Sequence, residues 1–251
     1  MQRNLLLIPV LLVSGTLALP AQEISNDANP LYRTPSIRMG GITVPPITNA
    51  PFTATAVIKN QQHMPDGSVQ TTRNINLIGR DSLGRTHGEM RLRVPESFQG
   101  MPPLSEVHLF DPQTRVQTVY YPATHVASRQ LRPEPRQAAN PSNSSNPLVQ
   151  VEDLGSNIIE GFDAKGTRRT LTIPANGTGA TITVVDEYWY SEDLHLNLLL
   201  LHNDPRTGVQ TISLSNIQRE EPAQEFFEVP QGYKIVDMTP PADVLAANGS
   251  R

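Results

Sequence analysis

No cysteine occurs anywhere in the 251 residues, which excludes disulfides, a thiol nucleophile, a cysteine metal site and lipid attachment at an N-terminal cysteine. A chain of this size without such staples must be held by an apolar core. Aromatic residues make up only 5%, with Trp189 the single tryptophan, so aliphatic side chains have to supply most of that core. Basic charge is also in short supply, at 20 Lys and Arg against 24 Asp and Glu. Nucleic acid and anionic membrane surfaces are therefore excluded as expected partners. Beyond the N-terminal stretch no apolar run approaches the roughly 20 residues that span a bilayer as a helix.

The N-terminal stretch itself, Met1 to Ala21, has one positive charge at Arg3, an apolar run from Leu5 to Leu19, and Leu19-Pro20-Ala21 at its end. This is the tripartite pattern of a Sec-type signal peptide over 1–21, and it places the expected mature chain in the periplasm or outside the cell, with no transmembrane span after cleavage. The 23 prolines point to a loop-rich β protein. Residues 22–51, with Gly40-Gly41 and Pro45-Pro46, read as an extended leader. A single antiparallel β domain is expected over 52–238, interrupted at 122–147 by a mobile insertion rich in Pro, Asn and Ser, and followed by a flexible tail over 239–251.

Within that domain, Phe52, Ala54, Ala56 and Ile58 alternate with Thr53, Thr55, Val57 and Lys59, and Pro65-Asp66-Gly67 turns the chain into a second strand. Met90, Leu92 and Val94 are expected on a core face, with His87, Glu89, Arg91 and Arg93 on a wet one. Asp111-Pro112-Gln113-Thr114 and Asp204-Pro205-Arg206-Thr207 have the same turn chemistry, in which Pro presets φ and Asp caps. The run Leu198 to Leu201 is too short for an ordinary helix. It reads as a central strand with both faces covered, flanked by the aromatic triplet Tyr188-Trp189-Tyr190. Pro222 to Phe227 is expected to make a single helical turn and Tyr233 to Val236 a last short strand. The expected fold is mainly β: a curved antiparallel sheet or half-barrel of about eleven strands with very little helix.

Chemical constellations are few. His195, His202 and Asp204 have the residue types of a metal site, but seven residues of strand would set the two histidines roughly 23 Å apart on opposite faces. His63, His87, His108 and His125 are scattered, so no metal or other cofactor is expected. There is no Gly-x-Ser-x-Gly elbow. The acidic pairs Glu152-Asp153, Asp186-Glu187 and Glu220-Glu221 consist of strand neighbours that face opposite ways, which suits solvated edges better than an acid/base couple. Gly177-Thr178-Gly179 lacks the lysine and helix of a phosphate loop. Tyr188, Trp189 and Tyr190 could line a ligand cleft, although aromatic residues at a strand end more often close a core. No catalytic residue is assigned, and an enzyme is not expected.

Several short motifs in the last third are similar to those of a known group. These are Ile159-Glu160-Gly161, Gly166-Thr167-Arg168, Glu187-x-Trp189-Tyr190-Ser191, Asp204-Pro205-Arg206, Asn216-Ile217 and Phe227-x-Val229-Pro230-x-Gly232-Tyr233. Together they resemble a group of secreted bacterial β-rich proteins and, more distantly, the LolA/LolB-like lipoprotein-carrier superfamily. The resemblance implies a strongly curved sheet whose concave apolar side holds acyl chains, with a lipid or lipoprotein as ligand. In those carriers helices cover the concave face; the Pro-rich leader here implies a cavity without that lid. The leading expectation is a non-enzymatic binding protein for a lipid, acyl chain or apolar peptide. A structural or protein-interaction module of the cell envelope is the alternative.

Overall fold

A computed structural model describes residues 37–39, 42–133, 148–174 and 180–240. The expected signal peptide, most of the leader, the core of the insertion, the loop holding Gly177-Thr178-Gly179 and nearly all of the tail lie outside the described residues. The strands in chain order are β1 (Ile37–Met39), β2 (Ile42–Val44), β3 (Phe52–His63), β4 (Val69–Arg80), β5 (Thr86–Arg91), β6 (Val94–Pro95), β7 (Leu104–Asp111) and β8 (Val116–Tyr121). They continue with β9 (Val126–Leu131), β10 (Val149–Ile159), β11 (Phe162–Pro174), β12 (Thr181–Ser191), β13 (Leu196–Asp204), β14 (Gly208–Gln218) and β15 (Lys234–Asp237).

Thirteen of them form one open sheet in the order β10-β11-β12-β13-β14-β3-β4-β5-β7-β8-β9-β15, with β6 beside β4. The fold is mainly β, as expected, and the described residues contain just one turn of 3-10 helix, Gln224–Phe227. Strand β15 is parallel to β9; the rest of the meander is antiparallel. Its hairpins rest on local chemistry. Asp111 Oδ1 accepts the Gln113 N–H at 2.8 Å and Asp204 Oδ1 accepts the Arg206 N–H at 2.9 Å. Each turn then passes through a left-handed residue, Arg115 (φ 57°) and Gly208 (φ 103°). His125 and His195 occupy the same kind of position, with φ of 53° and 54°. Their shared role is to close a hairpin.

Cross-strand partners share a face, so the register defines two surfaces. On one, Phe52, Ala54, Ala56 and Ile58 of β3 meet Ile78 of β4, Ile212 and Leu214 of β14, and Leu196, Leu198 and Leu200 of β13 in one buried cluster. This face is concave. Arg80 at the end of β4 donates to Leu194 O at 2.8 Å, although β14 and β3 lie between β4 and β13 in the sheet. On a flat sheet three spacings of about 4.8 Å would separate those strands.

Strands β1 and β2 pair only with each other. Ile42 and Val44, 1% and 0% exposed, belong to the concave cluster. The leader expectation is corrected here, because its end is core: residues 42–50 supply the cover that the resemblance implied would be missing. Arg80 fastens that cover. Its Nε donates to Ala50 O and its Nη1 to Pro45 O, both at 2.8 Å, and its guanidinium lies over the Phe52 ring.

Three further expectations change. Val126–Leu131, expected inside the mobile insertion, is strand β9, which together with the separate two-residue β6 brings the sheet from about eleven strands to thirteen. Along β5 and β6 the expected core face holds for Met90, which packs against the main cluster, and for Val94, which is buried, but not for Leu92, which is 51% exposed. The face expected to be wet is covered, with His87 and Glu89 5% and 9% exposed. The cause is tertiary. The 3-10 turn returns to stack Phe226 on His87 at 3.7 Å, and β5 ends at Arg91, whose N–H is taken by Asn76 Oδ1. Finally, the central leucines are covered unequally. Leu198 and Leu200 are buried, while Leu199 and Leu201 on the convex face are half-buried.

Candidate ligand site on the concave face

Leu196, Leu198, Leu200, Ile212, Leu214, Ala54, Ala56, Ile58 and Ile78 form a continuous apolar bed across the four neighbouring strands β13, β14, β3 and β4. One row of this bed, extended to β12, runs Tyr188, Leu200, Ile212, Ile58 across β12, β13, β14 and β3. Two residues along, the next row on the same face is Asp186, His202, Gln210, Asn60. The surface thus changes from apolar to fully polar within one side-chain step. The polar row is bonded in two pairs: His202 Nδ1 to Asp186 Oδ1 at 2.6 Å, and Gln210 Nε2 donating to Asn60 Oδ1 at 2.8 Å. The hydrogen bond that His202 donates to Asp186 is the main reason that its imidazole is held above its ordinary pKa. Asn60 Nδ2 is buried and has no partner. Asn74 and Asn76, on the same face of β4, bond instead to the Arg91 backbone.

Arg80 closes the opposite end of the bed as a fully buried cation whose three bonds all go to carbonyl oxygens. Burial lowers its pKa to about 10, and it stays charged at neutral pH. It serves structure: its donors are spent on the chain itself.

The convex face is different. Val107, Leu109, Tyr120 and Ala127 are covered by Val229 and Tyr233, with the Tyr120 and Tyr233 rings edge to face at 5.2 Å. Beside them a cavity of about 460 Å³ is bordered by Leu109, Asp111, Thr118, Arg129, Phe227 and Ile235, among others. His87 Nδ1 donates to Phe226 O, leaving Nε2 buried without a partner, and burial pushes its pKa down to about 4.

The residues singled out in the sequence separate accordingly. His195 sits in the β12–β13 turn while His202 is in β13, and no group of three potential metal ligands gathers among the described residues. Asp186 and Glu187 face opposite ways, the first toward His202 and the second toward Arg168. Arg168 also takes Glu152 at 2.9 Å, completing a convex ion-pair ladder. Glu221 accepts from the Ser82 backbone and hydroxyl. Tyr188 and Trp189 both pack against the main cluster, at the point where the β12–β13 register shifts, and Trp189 is paired with Gly166, where a methyl group would come within 2.9 Å of the indole. The polar row was missed in the sequence. Counting back across the Asp204–Gly208 turn finds Gln210 opposite His202; Asn60 is reached only through the pairing of β14 with β3.

No family model matches the chain, and no curated protein matches it. Solved structures do. An uncharacterized conserved protein from Thermus thermophilus aligns at 11% identity over 75% of this chain and 90% of that one, with a TM-score of 0.41. MucB aligns at 15% identity over 75% of this chain, with a TM-score of 0.40, and the match spans 60% of its own length. A LolA superfamily protein from Nitrosomonas europaea aligns at 13% identity over 72% and 91% of the two chains, with a TM-score of 0.30.

Proposed function

We propose that this is a non-enzymatic binding protein, periplasmic or secreted, that holds a lipid, an acyl chain or an apolar peptide on the concave face of its sheet. The observation that carries the reading is the apolar bed closed by β1 and β2, which share no strand ladder with the sheet beneath them. An isolated two-stranded hairpin is at best marginally stable in water, so an apolar ligand competes with a weak incumbent for a large apolar surface. The N-terminal charge and hydropathy pattern supports the location. The polar row along the rim suits an amphiphile better than a pure hydrocarbon.

The test is native mass spectrometry of the purified chain together with titration of N-phenyl-1-naphthylamine. Co-purifying lipid, or saturable fluorescence enhancement competed by fatty-acid esters, is the expected outcome. A lipid-free protein that leaves the probe unbound removes the proposal.

A second reading, an envelope protein-interaction module, is favoured by the edge strand β10, where Val151 and Ile158 are 68% and 70% exposed. Whole-cell crosslinking from position 151 recovers a protein partner under that reading.

A further inference from the structure

The rim of the concave face carries a more specific chemical assignment, which rests on the proposed function and narrows it. Asn60 is half-buried, its Oδ1 satisfied by Gln210 and its Nδ2 donor buried with nothing to bond. A buried donor left unpaired costs about 1–3 kcal/mol. The surroundings make this orphan informative. On one side, one step along the strand face, begins the apolar row Ile58, Ile212, Leu200. On the other side of the same polar row His202 is already engaged by Asp186. The row therefore holds a buried donor without a partner at the point where the apolar bed ends, and Asp186 Oδ1 is engaged by the imidazole.

We propose that the Asp186–His202–Gln210–Asn60 row is a head-group subsite that accepts the carbonyl oxygen of an acyl ester or amide, with Asn60 Nδ2 as the donor and the alkyl chain lying on the leucine bed. A carbonyl has the acceptor lone pairs that Asn60 lacks a partner for, and it needs no counter-charge. A free carboxylate is a poorer fit because Asp186 lies in the same row.

The experiment uses the full chain and displacement of N-phenyl-1-naphthylamine by two ligands of matched length, methyl laurate and tridecane, on wild type, Asn60→Asp and Asn60→Leu. Asp keeps the acceptor for Gln210 and removes the donor; Leu removes both and protects the test against misfolding of the Asp variant. In the wild type methyl laurate should bind about tenfold more tightly than tridecane, the scale of one well-made buried hydrogen bond. In either folded variant that preference should fall to about threefold or less, through weaker ester binding alone, with tridecane unchanged. An ester preference that survives in both variants overturns the assignment, as does equal affinity for the two ligands in wild type; in either case the apolar site itself stands. Failure of the probe to bind wild type defeats the proposed function and the subsite together.

Discussion

The two faces of this sheet are covered by opposite ends of the described chain, and the two covers are attached by different means. On the convex side the arm after β14 stacks Phe226 on His87, places Val229 and Tyr233 on the Val107 cluster, and then enters the sheet as β15, pairing with β9 through four residues. On the concave side β1 and β2 contribute Ile42 and Val44 and three residue pairs to each other, and no ladder to the sheet. The segment that follows them, to residue 50, is attached by the Arg80 side chain, which bonds Pro45 O and Ala50 O, and by the Asn49 N–H, which donates to Ser82 O. A cover stitched into the sheet shares its cooperativity. A cover that rests on it can leave separately.

That contrast can be broken in several places. The largest effect is expected for Arg80→Met, which strands three buried carbonyls and forfeits bonds to a charged donor, costing on the order of 4 kcal/mol. Urea unfolding followed by tryptophan fluorescence measures it, and proteolysis should open residues 42–50 before the arm around Phe226. Loss of the arm first would reverse our assignment of the two attachments.

Acid should act on the other cover. His87 is neutral when folded, with its pKa lowered to about 4 by burial, against an ordinary 6.5. The unfolded chain therefore binds the proton first. The stability His87 contributes is present above about pH 6.5 and is lost as the pH falls toward 4, an effect of roughly 3 kcal/mol. Glu89 is the charged neighbour that moderates it. His202 has the opposite sign: its raised pKa gives stability below the ordinary histidine range that is lost as pH rises through the folded value. Acidification thus loosens the convex cover while tightening the concave rim. Denaturation at pH 7.5 and 5, with and without His87→Phe, should show the first effect only in the chain that retains His87.

A smaller effect is expected at Gly166→Ala. The new methyl would meet Leu154 and the Trp189 ring at 2.8–2.9 Å, an overpacking cost of about 2 kcal/mol. It lies under neither cover, so both should survive it. The smallest difference concerns amide exchange in the unmodified protein: Ile42–Val44 should exchange faster than Lys234–Asp237. Equal protection would mean that the hairpin opens only with the whole sheet.

How much of this could be read in the sequence depended on how local the cause was. The alternation of β3, the two Asp-Pro turns and the leucine strand β13 are set by neighbours within a few residues, and all were legible. The burial of His87 and Glu89 on the second face of β5 was not, because Phe226 reaches His87 across 139 positions of chain. Strands β1 and β2 are three residues each and sit among glycines and prolines. Only the bed beneath them makes Ile42 and Val44 core residues. The polar rim had one visible half, His202 with Gln210 across a tight turn, and one invisible half, since nothing near Asn60 announces that β14 will lie beside it.

The pairing of β3 with β14 also sets an order of events. Ile58 lies opposite Ile212, and Val57 opposite Ser213, so the earliest long strand of the sheet finds one of its two partners almost at the end of the meander. Until Gly208–Gln218 has been made, the twelve residues of β3 can pair only with β4, and the leucine bed has no floor at its centre. Contacts this distant in sequence slow folding and leave a long, raw strand edge waiting. A ribosome-bound fragment that stops at Asp204 should therefore be protease-sensitive and held by chaperones, and extension past Gln218 should be the step at which the sheet becomes one cooperative unit.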